Sequence, residues 1–280
     1  MLKRDTGMSR KFSFDFLKPV TVAKAAIGAL LALSVAPGAN AALIAHYSFD
    51  GTLTTDDSGN GHTLIAGGGG PTQVGGQFGN AASFAGGSFF YNADSAFNLS
   101  TGNFAISLWY QAVQSSFSPM VGKNTSTGNL GYSLHHTTNI TGDLNDGGGG
   151  FVSTAAPADD ESVFHHVVYQ KIGSTLELYL DGVLASTIGG ASGADTGNAF
   201  AIGTRNISST GVENSGGASQ KMNGLLDEIY VFDNALNTTE ISNLHQYNSL
   251  DAPAVSEPTG LAIFGLGILG LGYLRRRRQS

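Results

Sequence analysis

The chain has 280 residues, with 14 Lys and Arg against 21 Asp and Glu, 40 Gly and no Cys. The absence of thiols excludes disulfide frameworks and thiolate zinc sites, and a formal charge of −7 excludes a basic nucleic-acid binder. Charged residues make up only 12 % and apolar residues 41 %, which excludes a charge-driven disordered chain and leaves enough material for a core.

The N-terminus carries Lys3, Arg4, Arg10, Lys11, Lys18 and Lys24, then an apolar run over 25–36, then Ala39-Asn40-Ala41. A basic region, a short apolar region and an A-x-A site at Ala39 and Ala41 predict a secretory signal peptide over 1–41. The apolar run is too short to span a hydrocarbon core, which takes about 20 residues. At the other end, a linker over 251–258 contains Ser256-Glu257-Pro258. The uncharged, mostly apolar stretch 259–274 follows, and then Arg275, Arg276, Arg277 and Arg278 in the tail 275–280. This pattern predicts a short transmembrane segment with a positive cytoplasmic stop. Its glycines suit close helix packing in lipid; in a soluble helix each costs about 1 kcal/mol. Between the two ends, Lys123, Lys171, Arg205 and Lys221 stand against nineteen acidic residues, a net charge of −15. Such a module is soluble, is repelled by anionic surfaces and attracts cations.

The middle, 42–250, suits one all-β domain. Its β-type runs are 43–49, 81–84, 89–92, 104–113, 132–136, 164–171, 175–180, 183–188, 199–203 and 225–232. Several alternate with the period of a half-buried strand. Two of the runs flank Asp181-Gly182, the signal of a two-residue hairpin. A helix is predicted after Asn237 as cap, with Glu240 three residues on and Ile241, Leu244 and Tyr247 as its apolar face. The predicted fold is an antiparallel two-sheet sandwich, or jelly roll, with one short C-terminal helix.

Candidate chemistry is sparse. Asp50, Asp56, Asp57, Asn60 and Gly61 share one polar loop after the first run, a pattern that supplies the oxygens calcium takes and that Asx turns also produce. His135-His136 and His165-His166 are adjacent pairs, so each pair points to opposite faces of a strand and cannot chelate one ion from one side. Trp109, the only Trp, sits mid-run and reads as sheet packing. The Gly-rich stretch 132–150 holds Tyr132, His135, Asn139, Asp143, Asn145 and Asp146. It is either a polar rim for a sugar or a mobile loop. No G-x-S-x-G, H-E-x-x-H or P-loop occurs. Asp159-Asp160-Glu161 reads as a solvated loop, and Asp181 belongs to its turn.

Five segments, taken in order, resemble the laminin-G-like, concanavalin A-like lectin/glucanase superfamily. They are AHYSFDGTLTTDDSGNGHTL (45–64), GNAASFAGGSFF (79–90), FAISLWYQAV (104–113), FHHVVYQKIGSTLELYLDGVLAS (164–186) and LLDEIYVFDNALNTTEI (225–241). The resemblance implies a two-sheet jelly roll. It also implies a structural calcium held by the opening loop and the Asp of a D-E-V-like motif, with Asp50, Asp57, Asn60 and Asp227 as ligands and Glu228 on the opposite face. Glucanases of the superfamily carry E-x-D-x-x-E on one strand. This chain has no such string, so a non-catalytic module is expected. The C-terminus resembles the PEP-CTERM sorting signal, with Ser256 where that signal usually has Pro. That resemblance implies export, cutting near Glu257-Pro258 by an exosortase-type processing enzyme, transient anchoring in the inner membrane, and delivery to the envelope or extracellular matrix of a Gram-negative bacterium. The expected role is a surface or matrix module whose partner is an exopolysaccharide or cell-surface glycan. A structural biofilm protein and a glycan-active enzyme are the alternatives.

Overall fold

A computed structural model describes residues 41–85, 87–112, 117–125, 130–147, 152–155, 162–213 and 220–251. The chain divides into residues 1–38 and Ala39–Ser280, and every described residue belongs to the second unit. The expected N-terminal signal up to residue 40, the expected sorting signal over 255–278 and the 159–161 stretch lie outside the described residues.

The runs of alternating residues become strands because one parity can be buried. In Phe104–Ala112, Phe104, Ile106, Leu108 and Tyr110 enter the central core, while Ala105, Ser107 and Trp109 face the other way. One sheet contains β1 (Leu43–Tyr47), β3 (Thr72–Gly75), β4 (Asn80–Phe84), β6 (Phe104–Ala112), β11 (His165–Ile172), β12 (Thr175–Leu180), β13 (Val183–Gly189) and β15 (Gly224–Phe232). Its order is β13-β12-β11-β6-β15-β4-β3, with β1 added on β15. The second sheet contains β2 (Ile65–Gly67), β5 (Phe89–Asn92), β7 (Ser118–Asn124), β8 (Leu130–His136), β9 (Ile140–Asp146), β10 (Val152–Ala155) and β14 (Phe200–Ile202). Its order is β10-β9-β8-β7-β14-β5-β2. The pairings are antiparallel, as expected for a sandwich.

The core between the sheets includes Tyr47, Tyr110, Tyr132 and Tyr169. Buried Tyr47, Tyr132 and Tyr169 each donate their hydroxyl to a carbonyl, of His62 (2.8 Å), Phe97 (3.0 Å) and Asp143 (2.9 Å) respectively. Each ring therefore contributes apolar area without leaving its polar tip unsatisfied. Asp181 and Gly182 both have positive φ (49° and 78°), the conformation of a type I′ turn, and join β12 to β13 as the sequence predicts.

The helix α1 (Thr238–Tyr247) starts with the expected capping box: the Asn237 side chain accepts from Thr239 and Glu240 N–H, and Glu240 accepts from Asn237 N–H. Its Ile241 and Leu244, with Leu236, cover Ala105, Val168, Tyr230 and Phe232 on the outer face of the first sheet. Tyr247, expected on that apolar face, is instead 46 % exposed.

The strands β2, β3, β7, β9 and β10 were not legible as strands. Residues 132–147 of the Gly-rich stretch form most of a regular hairpin rather than a loop. Ile140 and Leu144 point inward, and Gly142 lies against the Tyr169 ring where a side chain would not fit. Composition suggested a loop there, but the parity of two apolar residues and one close approach decides the outcome.

One irregularity bears on function. β15 pairs with β4 over Gly224–Leu226 and with β1 over Ile229–Phe232. Its register with β6 slips between Asp227 and Tyr230, and Glu228 takes φ 51°. The bulge sits where β15 changes neighbours, and it leaves both Asp227 and Glu228 buried, at 0 % and 3 % exposure.

Candidate functional site

The first candidate is the oxygen-rich corner around that bulge. The carbonyls of Phe49, Asp50 and Gly51 converge on one point, filled by Gln73 Nε2 at 2.5, 3.1 and 3.1 Å. An amide nitrogen has two hydrogens for these three acceptors, so the three carbonyls share one donor group. Asp50 Oδ1 accepts from Asn80 N–H (2.7 Å), and Asp227 Oδ2 accepts from Phe78 N–H (2.9 Å). The two carboxylates thus grip the same turn between β3 and β4. A Cβ on Gly76 would stand 2.5 Å from Asp227 Oδ2, and one on Gly79 would collide with Asp50.

Asp227 Oδ1 is buried with no partner. Burial pushes the Asp227 carboxyl up to about 7; the Phe78 N–H opposes this and the neighbouring Glu228 adds to it. Glu228 is engaged elsewhere, 2.6 Å from His46 Nε2, with the His46 ring stacked on Tyr230.

The other two expected ligands hold β1. Asp57 Oδ2 accepts from Ser48 N–H and Oγ–H, and Asn60 Nδ2 donates to the carbonyls of Leu43 and Ile44. Asp56, in the same loop, accepts N–H bonds from His46, Ser58 and His62. The structure therefore brings Asp50 and Asp227 to one turn and gives Asp57 and Asn60 hydrogen bonds along the first strand. Among the described residues no three His, Asp or Glu side chains gather as metal ligands. An ion here would draw most of its 6–8 oxygens from carbonyls, which suits calcium.

The second candidate lies on the outer face of the seven-stranded sheet. Gly122, Ser133 and Asp143 stand opposite one another on β7, β8 and β9. The His135 ring stacks on Phe117 at 4.2 Å, and the Arg205 guanidinium lies 4.7 Å from the same ring's centre. His135 Nδ1 is 3.6 Å from Asp143 Oδ2, too long for a hydrogen bond. Burial pushes Asp143 up to about 6, with Arg205 pulling it down, and burial holds His135 down to about 4, helped by Arg205 and His136. His135, Asp143 and Asn145 come from the stretch expected to offer a sugar rim. Phe117 and Arg205 were not singled out in the sequence; the one signal for Arg205 was its rarity among four cations.

The remaining histidines behave as strand geometry predicts. His166 faces Trp109 and His245 beneath α1 and shares a 2.8 Å hydrogen bond with Ser107 Oγ. His165 turns the other way and pairs with Asp181. Trp109 packs against Phe78, His166 and His245, as sheet packing predicts. Among the described residues no helix is long and apolar enough to cross a membrane, and 259–274 lies outside them.

Residues 86–242 match the sequence profile of the concanavalin A-like lectin/glucanases superfamily. No curated protein matches the chain. Among solved structures, the binding domain of Paraclostridial Mosquitocidal Protein 1 superposes with a TM-score of 0.59 at 15 % identity, over 74 % of this chain and 52 % of that one. Domain 4 of AbnA, a GH43 extracellular arabinanase from Geobacillus stearothermophilus, solved with arabinotriose, gives 0.57 at 21 % identity, over 74 % of this chain and 100 % of that one. The binding domain of Botulinum neurotoxin DC in complex with SialylT gives 0.56 at 15 % identity, over 75 % and 52 %. The chain thus spans about half the length of the toxin binding domains, and these likenesses are likenesses of fold.

Proposed function

Because the chain belongs to the concanavalin A-like lectin/glucanases superfamily, we infer that it is an exported, non-catalytic glycan-binding module of the cell surface or matrix. The observation that carries this reading is the outer face of the seven-stranded sheet. There a carboxylate, an imidazole and a guanidinium share one surface with the Phe117 ring. Such groups hydrogen-bond hydroxyls and fix a ligand's orientation. Support comes from the AbnA domain, a sandwich of matching shape that was solved with arabinotriose. A retaining glycosidase needs two carboxylates about 5–5.5 Å apart. The side-chain neighbour of Asp143 is instead a histidine, which favours holding a sugar over cleaving one. Export rests on the N-terminal signal and the PEP-CTERM-like tail, with cutting near Glu257-Pro258 by an exosortase-type enzyme.

Calcium belongs to the same reading as a structural ion. Asp50, Asp227 and the carbonyls of residues 49–51 would hold it, and its charge would tie the loop after β1 to the bulge of β15. Two experiments test the reading. A glycan array with the full chain should show binding that free oligosaccharide competes away; a silent array refutes the glycan function. Thermal melting in calcium and in EDTA should differ by several degrees; identical curves refute the ion.

A further inference from the structure

We propose that α1 is an acid-opened strap: it seals His166 against the first sheet at neutral pH and lifts away when that histidine takes up a proton, baring Trp109.

Hydrogen bonds pin the segment at its two ends. Leu236 N–H donates to Gln170 Oε1 at 2.9 Å, and the Tyr230 hydroxyl donates to the carbonyl of Asn248, the C-cap, at 3.2 Å. Between those points, among the described residues, Thr238–Tyr247 make no hydrogen bond to any strand; their polar bonds are the N-terminal cap and others within the segment. The helix itself is held down by Ile241, Leu244 and the ring of His245 in its last turn. A unit fastened by so few contacts opens at a lower cost than the whole domain.

The His245 ring completes a three-ring cluster. It lies 5.5 Å from the Trp109 ring and 5.6 Å from the His166 ring, and those two are 5.2 Å apart. Trp109 and His166 stand opposite each other on β6 and β11, at 5 % and 1 % exposure, so the helix is the cover over both. Beneath it, His166 Nε2 has its 2.8 Å hydrogen bond with Ser107 Oγ, while Nδ1 is buried without a partner. An imidazolium carries a proton on each nitrogen. A charged His166 would therefore hold an Nδ1–H that nothing accepts, at the cost of an unmatched buried donor.

The charged groups around the ring do not relieve this. From the β12–β13 turn, Asp181 faces it, but Oδ1 accepts His166 N–H and Oδ2 is 2.8 Å from His165 Nδ1. On β15, Asp227 accepts from Phe78 N–H and Glu228 lies against His46. On β12, Glu177 accepts from Gln170 and Tyr179. From α1 comes His245, itself a base. Lifting α1 admits water to Nδ1 and removes His245, so opening and proton uptake favour each other. Burial, with the His245 charge, holds the covered His166 down to about 3. The closed state thus binds fewer protons; it is fully favoured above about pH 6.5 and loses ground as pH falls toward 3. From pH 7 to pH 4.5 the ratio of open to closed should rise by up to about seventyfold.

Hydrogen exchange of the full chain tests this, read as protection factors so that the intrinsic pH dependence is removed. Amides 241–247 should be less protected than those of β6 and β11 at pH 7. At pH 4.5 their protection should fall by about twenty- to seventyfold, with the strands still the more protected. His166→Gln cannot take up the proton and should lose most of that fall. Helix protection that is the same at both pH values, or equal to strand protection at both, overturns the proposal, and this wild-type result decides it even where the variant does not fold. A folded variant that keeps the whole fall overturns it too, because the proton then binds elsewhere.

Discussion

Replacing His166 should change how the protein responds to acid. His166 is 1 % exposed, between Trp109 and His245, and shares its Nε2 hydrogen bond with Ser107. Burial, reinforced by the His245 charge and opposed by that of Asp181, holds it down to about 3. An unfolded histidine titrates near 6.5. The folded state therefore binds fewer protons, and stability is complete above about pH 6.5 and is lost as pH falls toward 3. Each pH unit in that window costs about 1.4 kcal/mol, so moving from pH 7 to pH 4.5 removes about 2.5 kcal/mol through this one residue. His166→Gln retains a hydrogen-bonding group but cannot take up the proton. It should be less stable than wild type at pH 7, through lost ring contacts, yet lose about 2.5 kcal/mol less on going to pH 4.5. Urea unfolding followed by the fluorescence of Trp109, the only tryptophan and a direct neighbour, measures both. The other histidines contribute equally to both proteins and cancel. Parallel pH profiles for the two proteins would refute the assignment.

Three further outcomes follow from local geometry. Gly142→Ala places a methyl into the buried Tyr169 ring and should cost about 1–3 kcal/mol by urea titration; a neutral result means that the β8–β9 hairpin can shift off Tyr169. Asn237→Ala removes both side-chain bonds that cap α1 and should cost about 1 kcal/mol, read as a lower melting temperature with the same cooperativity. Asp227→Asn should abolish any calcium-dependent rise in melting temperature. In EDTA it should be more stable than wild type above pH 7, on the order of 2–4 kcal/mol, because a carboxyl raised to about 7 costs stability once ionised. A variant less stable than wild type in EDTA at pH 8 would contradict this.

The sequence reading succeeded where one short-range rule governs. The Asp181-Gly182 turn demands two positive φ values, and Asn237 with Glu240 satisfies the orphan N–H groups of a helix start; both devices are complete within four residues. It failed where the outcome depends on a distant partner. β7 contains Pro119 and Gly122 and reads as a loop, yet it is held between β8 and β14. β9 contains Thr141, Gly142 and Asp143 and reads as a turn, until Tyr169 from another sheet fills the space that Gly142 leaves open. The same limit applies to the sites. The opening loop drew attention because its acids are contiguous, but contiguity does not show which of them serve the backbone. Asp143 looked like its neighbours in sequence. It is distinct because, among the described residues, no donor comes within hydrogen-bond distance of its carboxylate, a property of the sheet's far face that no spacing encodes.

The engagement of the domain's few cations also bears on the protein's proteolysis and detection. No Lys or Arg occurs between Lys24 and Lys123, or between Lys221 and Arg275. Lys123 and Lys171 are only 4 % and 6 % exposed. A protease that cuts after basic residues therefore meets a folded surface with few scissile positions, and the long fragments from the denatured chain suit routine tryptic mass mapping poorly. Amine-reactive labels face the same shortage. An acid-directed or chymotrypsin-type enzyme is the better tool for following this protein, and resistance to trypsin is an inexpensive first sign that the sandwich has formed.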